Sequence, residues 1–390
     1  MADSEKEYGE HQHPSMDRLG EVAKDVKQSI SDELHPVAEQ TAELLAHGLR
    51  TPVLRRPDEV GLQYEDVFFP SLDGVPLDGW FIPADSNKLL VVDHPLSCNR
   101  YGFPGHLPRW NTMFGGFEVN FLPELKHLHD AGYNIVTYDI RNHGLSGIGN
   151  GGIVGIGLLE WRDVVGSLRY VRGRKDLASM TLGLSSRCLG ANSTMVAMSR
   201  MPGEFRDVRC LVALQPVSSR TFVEKTFSNL NLDPVEGTKL FEERIHELTG
   251  FHMDELTPIP YAKNVRVPTL QVQLRRDKAI DVSDSQTIFD ELGATEKELF
   301  WIEGSDQRFH AYNYFGQHPE RLLDWLARYM GDKARAEHGS WTDNGDGAEL
   351  LSISTPADGS SRGRRAASRA ASGGRGSRTR RPPVSRGRAG

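Results

Sequence analysis

Residues 180–195, MTLGLSSRCLGANSTM, constrain the fold of this 390-residue chain more than any other stretch. Thr181, Leu182, Gly183 and Leu184 form a short, mostly apolar run of the kind a buried parallel strand shows. The following LGANSTMVAMSR has small and straight-chain residues and no proline, which predicts a helix. Between the two stands Ser186-Arg187-Cys188-Leu189-Gly190, with no loop residues to spare. A strand that passes into a helix without a loop must turn sharply and leave its apex residue strained and exposed. The residues two before and two after the apex come close together, so both must be small. Here they are Ser186 and Gly190.

The length suits one large α/β domain of roughly 250–300 residues with appendages. No run of eighteen apolar residues occurs, so no membrane-spanning helix is expected. The N-terminal MADSEKEYGEHQH is acidic and polar, unlike a signal peptide. Three cysteines (Cys98, Cys188 and Cys210) have neither disulfide-framework density nor metal-ligand spacing, which fits a reducing cytoplasm. Cys210, inside RCLVALQ, reads as a small buried apolar residue. Beyond Asp358 the chain carries ten arginines and no acidic residue; removing those ten charges from the net −7 leaves −17 on residues 1–358. An acidic globular part argues against nucleic acid or anionic membrane as its main partner.

Taken in order, residues 1–50 form a polar, helical extension. Leu19, Val22, Val26 and Ile30 fall on one narrow face, and Pro36 is expected to divide the run into two helices. Those helices are expected to pack on the main domain or to join copies of the chain. Residues 51–335 read as the main domain. It opens with a hairpin turning at Ser71-Leu72-Asp73-Gly74. Strands over 88–93, 133–139, 208–215, 268–274 and 298–302 then alternate with helices over 117–132, 157–173, 285–292 and 319–330. That alternation implies a mostly parallel sheet covered by helices. Residues 217–264 hold no clear strand and form a cap-like helical insertion. Residues 336–390, rich in Gly, Ser and Arg, cannot bury a core and are expected to be disordered, with nucleic-acid contact by this tail a secondary option.

S-R-C-L-G is the nucleophile-elbow pattern G-x-S-x-G with serine for the first glycine and cysteine for the central serine. With this context, residues 60–330 resemble the α/β-hydrolase superfamily, and the cysteine resembles its dienelactone-hydrolase branch. The resemblance implies an α/β-hydrolase fold with a small helical cap. It also implies nucleophile, acid and histidine in that chain order. Cys188 takes the first role. RRDKAI, after the strand over 268–274, points to Asp277 as the acid, with Asp281 and Asp284 nearby. FWIEGSDQRFH points to His310 as the base, although the gap from Gly304 is longer than usual. The oxyanion donors would be the backbone N–H groups of Leu189 and, because Pro95 has none, Leu96. DIRNHGLSG over 139–147 resembles the family's D-x-R-G-x-G-x-S and reads as support beside the pocket. His94, Arg187 and His143 are candidates for touching substrate, with a buried ion pair the alternative for Arg187.

The chemistry implied is attack by Cys188 on a carbonyl, favoured by the helix N-terminus, followed by deacylation with water activated by His310 and oriented by Asp277. The expected function is a cytoplasmic hydrolase acting on a small-molecule ester, lactone or thioester, with no cofactor or metal. An acyltransferase, a carbon–carbon bond hydrolase, and a catalytically silent binding or scaffold protein are the alternatives on the same fold.

Overall fold

The computed structural model describes residues 33–111 and 115–331. The stripe Leu19, Val22, Val26 and Ile30 and the arginine-rich tail lie outside the described residues. A helix, α1, runs over residues 33–47 and passes through Pro36 instead of breaking there. Pro36 sits in the first described turn, where its missing N–H forfeits no bond to a described carbonyl. Leu34, Ala38, Ala42, Leu45 and Ala46 are buried in the same core as the central sheet. The described part of the extension, α1, therefore packs on the main domain.

The hairpin comprises β1 (Glu65–Pro70) and β2 (Pro76–Ile82), paired antiparallel. β3 (Lys88–Val92) follows, then a small ribbon of β4 (Gly102–Phe103) and β5 (Val119–Asn120). α2 (Leu122–Asp130) begins five residues later than the sequence suggested. Asn120 accepts the Leu122 N–H at 3.0 Å and Pro123 lies in the first turn, so the helix starts there and Val119–Asn120 is free to pair as strand. β6 (Tyr133–Tyr138) is followed by α3 (Trp161–Gly173), then by β7 (Thr181–Arg187) and α4 (Leu189–Arg200). After β8 (Val208–Leu214) comes the helical insertion: α5 (Ser219–Asn229), α6 (Pro234–Thr249) and the short α7 (Ile259–Ala262). β9 (Thr269–Leu274), α8 (Val282–Glu291), β10 (Lys297–Ile302), α9 (Tyr314–Gln317) and α10 (Glu320–Met330) complete the described chain.

Among the described residues eight strands form one sheet in the order β1-β2-β6-β3-β7-β8-β9-β10. The first three are antiparallel neighbours and the rest are parallel. β7 lies between β3 and β8 and is buried along almost its whole length. Both faces are therefore covered, one by α1, α3, α4 and the insertion, the other by α2 and α10. A parallel sheet delivers its strand ends to one edge, and ligands bind at that carboxyl edge. The apex after β7 stands there. No helix among the described residues is long and apolar enough to cross a membrane.

Candidate active site

Cys188 occupies the apex with φ 47 and ψ −106, a backbone conformation that costs a non-glycine residue energy. Its N–H is held by the Leu214 carbonyl at 2.8 Å and its carbonyl accepts from Asn192 N–H, so β8 and α4 clamp it from both sides. Gly190 is required here: a Cβ would lie 1.9 Å from Asp93 Oδ1. Asp93, just past β3, is the buried peg of the turn. It accepts from Ser186 Oγ at 2.9 Å and from the Arg187 N–H at 3.0 Å. Ser186 is thus small enough for the turn and also bonds the peg, which explains why serine serves in place of glycine.

Burial pushes the Asp93 carboxyl up to about 7, against the hydrogen bonds it accepts. A carboxyl that is more basic folded than unfolded favours folding most below about pH 4, and loses that contribution as pH rises through about 7. Asp93→Asn keeps the acceptor and offers an amide to the two hydroxyls of Ser186 and Thr194. The melting temperature of this variant relative to the natural chain should rise by a few degrees from pH 5 to pH 8. A flat difference across that range would overturn the assignment.

Cys188 is half-buried and lines a small cavity of about 50 Å³, with Leu189, Leu96, Arg308 and Tyr312 in the same wall. Such a volume holds roughly three or four water-sized groups. Leu44 and Leu45 of α1 and Phe222 of α5 also line it, so the N-terminal extension and the cap both enclose the thiol. Leu189 opens α4, where the first N–H groups have no intrahelical acceptor. The Gly190 N–H is engaged by the His94 carbonyl at 3.3 Å.

The acid and base are arranged differently from the sequence expectation. Asp277 Oδ2 accepts from Arg308 Nη1 at 2.6 Å and from Gln273 Nε2 at 3.0 Å, while Oδ1 takes the Ala279 N–H at 2.9 Å. Arg308 also donates to the Gln215 carbonyl. The structure does not bring His310 to Asp277. The His310 Nδ1 pairs with Ser305 Oγ at 2.9 Å, its ring lies 4.0 Å from that of Phe117, and it is not part of the cavity wall. Burial lowers its basicity, with Asp306 opposing. The physical reason is the path of the loop after β10. It tightens into a 3-10 turn over Arg308–Asn313, which Asn313 ties to β5 by accepting from the Asn120 N–H and donating to the Glu118 carbonyl. That turn points Arg308, not His310, at Asp277. Burial works against the Arg308 charge, but Tyr312, Asp277 and Cys188 together raise its basicity above the ordinary arginine value. Burial, then the neighbouring Cys188, keeps the Tyr312 hydroxyl protonated.

The three candidates for touching substrate line no part of the cavity. Arg187 is a buried ion-pair residue: Nη2 meets Glu124 Oε1 of α2 at 2.6 Å and the guanidinium covers the Phe121 ring. His94 Nε2 accepts from the Ile140 N–H at 2.9 Å, so its proton sits on Nδ1, toward the Pro95 carbonyl. His143 Nδ1 donates to the Arg141 carbonyl at 2.9 Å. Burial pushes His94 down to about 4 and His143 to about 3, so both stay neutral. The 139–147 segment is structural support as expected. Asp139 accepts from the Arg100 and Leu145 N–H groups, and Arg141 pairs with Asp163 and Asp73. Sequence reasoning missed Arg308, Tyr312, Asp93 and the α1 leucines. The wide gap between Gly304 and His310 was the one available signal for Arg308.

Strand order, apex and cap together define the α/β-hydrolase fold. No family model matches the chain, and comparison with curated proteins finds no match. Among solved structures, the chain is similar to the Pyrococcus furiosus esterase Pf2001 in one crystal form, with a TM-score of 0.55 and 21% identity over 74% of this chain and 99% of that one. A second form of the same esterase gives 0.53 and 22%, over 73% and 100% respectively. At such identity the likeness establishes the fold.

Proposed function

We propose that this chain cleaves ester-type carbonyl compounds (esters, lactones or thioesters) through an acyl intermediate on Cys188. The observation that supports it is the strained Cys188 backbone at the strand-to-helix apex, with the thiol in a cavity wall. Strain of this kind persists where the surroundings over-determine it and clusters at working sites. In this reading Cys188 attacks the carbonyl carbon, and the N–H groups of Leu189 and Leu96 hold the oxyanion. Asp277 orients Arg308, which lines the same cavity as the sulfur. Esterase activity in the Pyrococcus protein of the same fold agrees with this class of substrate.

The test is a panel of short-chain activated esters, lactones and thioesters, read as acyl mass on the Cys188 peptide. No acylation across the panel overturns the reading. The role of His310 separates the Cys-His-Asp triad from the arrangement described above. As placed, His310→Gln leaves acylation and turnover within about two-fold, whereas loss of a working base costs roughly 10²–10⁴-fold. A second reading, a silent binding protein, is favoured by Arg308, which occupies Asp277 and cannot accept a proton. It requires a Cys188 that neither acylates nor labels with iodoacetamide at neutral pH.

A further inference from the structure

Among the described residues lining the Cys188 cavity there is no carboxylate and no histidine. The ionisable neighbours are Arg308, held to Asp277, and Tyr312, and neither takes up a proton at neutral pH. His94 Nε2 is already taken by the Ile140 N–H, and His143 and His310 lie outside the cavity wall, His310 against Ser305 and Phe117. Attack on an acyl carbon by a thiol needs no base held in the site, because the thiol can give its proton to solvent before the bond forms. Attack by water does, since a proton must leave as the bond forms. The two half-reactions of a hydrolase are therefore served unequally by this site.

A second cavity, of about 470 Å³, adjoins the first and shares Phe222, Arg308 and Phe309 with it. Its wall is more polar than the inner one: Asn229, Lys278, Asp306 and Gln307 contribute to it. An acyl group fits the inner chamber and a polar partner the outer one, with Arg308 between them.

Building on the acyl-Cys188 reading, we propose that the site passes its acyl group between thiols, taking it from a thioester and giving it to a small polar thiol in preference to water. In the first step the Cys188 thiolate bonds to the acyl carbon and the donor's C–S bond breaks, its electron pair leaving on the donor sulfur. In the second the acceptor thiolate bonds to the same carbon, the bond to Cys188 breaks, and the electron pair returns to the Cys188 sulfur, in the cavity that Arg308 also lines. Each thiol proton is exchanged with solvent, and no oxidant or reductant is needed. One thioester replaces another, so the exchange is close to balanced in free energy.

The experiment uses the full chain and phenyl thioacetate as donor. The acetylated protein is freed of donor, and its discharge is followed by intact mass in neutral buffer, with and without N-acetylcysteamine. S-Acetyl-N-acetylcysteine is the reference for both reactions. The expected result is discharge to water within about ten-fold of the reference, and discharge to the thiol faster than the reference by roughly 10²-fold or more, as an oxyanion hole supplies. Acetylation followed by water discharge far above the reference overturns the proposal and leaves the acyl-enzyme reading standing. No acetylation overturns both. Arg308→His supplies a second check independent of the acceptor. If that variant keeps a cooperative melt, its water discharge should rise roughly 10²–10⁴-fold as a base is installed. No rise in a folded variant overturns Arg308 as the cause.

Discussion

Cys188→Ala is expected to remove acyl transfer and turnover by at least about 10³-fold on any substrate the natural chain accepts, with the fold retained. The sulfur forms the bond in every step proposed, so nothing else in the cavity replaces it. The cost in stability is small, because the half-buried thiol leaves a methyl in its place and the clamp on the apex is made by backbone groups. A companion variant reports on the backbone alone. At φ 47 alanine carries the same strain as cysteine, whereas glycine is free of it. Cys188→Gly should therefore melt at least as high as Cys188→Ala, despite glycine's entropic disadvantage at an ordinary position. Retained activity in Cys188→Ala would remove the mechanism. A glycine variant clearly less stable than the alanine would remove the claim of strain.

Arg308→Ala is expected to have the largest effect on stability. It leaves the Asp277 carboxylate, whose side chain is fully buried, without its cation. Removing one partner of a buried ion pair costs about 3–5 kcal/mol, because the remaining charge keeps its desolvation penalty. Gln273 and the Ala279 N–H still donate to Asp277, which places the loss toward the lower end of that range. Arg308→Lys recovers only part of it, since a single ammonium does not reproduce a fork that reaches both Asp277 and the Gln215 carbonyl. Adding Asp277→Asn to Arg308→Ala should restore a substantial share by removing the orphaned charge. Urea unfolding of the four chains measures this directly. A loss under about 1 kcal/mol in Arg308→Ala would mean the pair carries little.

The fold was largely legible because its signals are local. The Asp73-Gly74 turn, the apolar runs and the loopless passage from Leu184 to Gly190 each depend on residues a few positions apart, and each formed. The late start of α2 is the exception that follows the same logic. Asn120 and Pro123 decided it, against an apolar pattern that ran on through Phe117. Leu96 and Leu189, the residues expected from position to hold the oxyanion, both line the cavity.

The charged partners were not legible, because each is chosen by a residue distant in the chain. From spacing alone Arg187 fits a substrate contact or a buried pair equally well; Glu124, 63 positions away on α2, makes it a buried pair. Asp277 follows its strand closely and was placed by position. Its partner depends on how a loop after a different strand is wound. The 3-10 turn held to β5 by Asn313 puts Arg308 where spacing put His310, two residues on. By itself, then, the sequence determined a strained cysteine at the edge of a parallel sheet, since strand and helix propensities act over neighbouring residues. Only the tertiary structure decided that an arginine, lining the same cavity as that cysteine, pairs with Asp277, because side-chain pairing across the sheet edge is set by loop paths that carry no periodic signal.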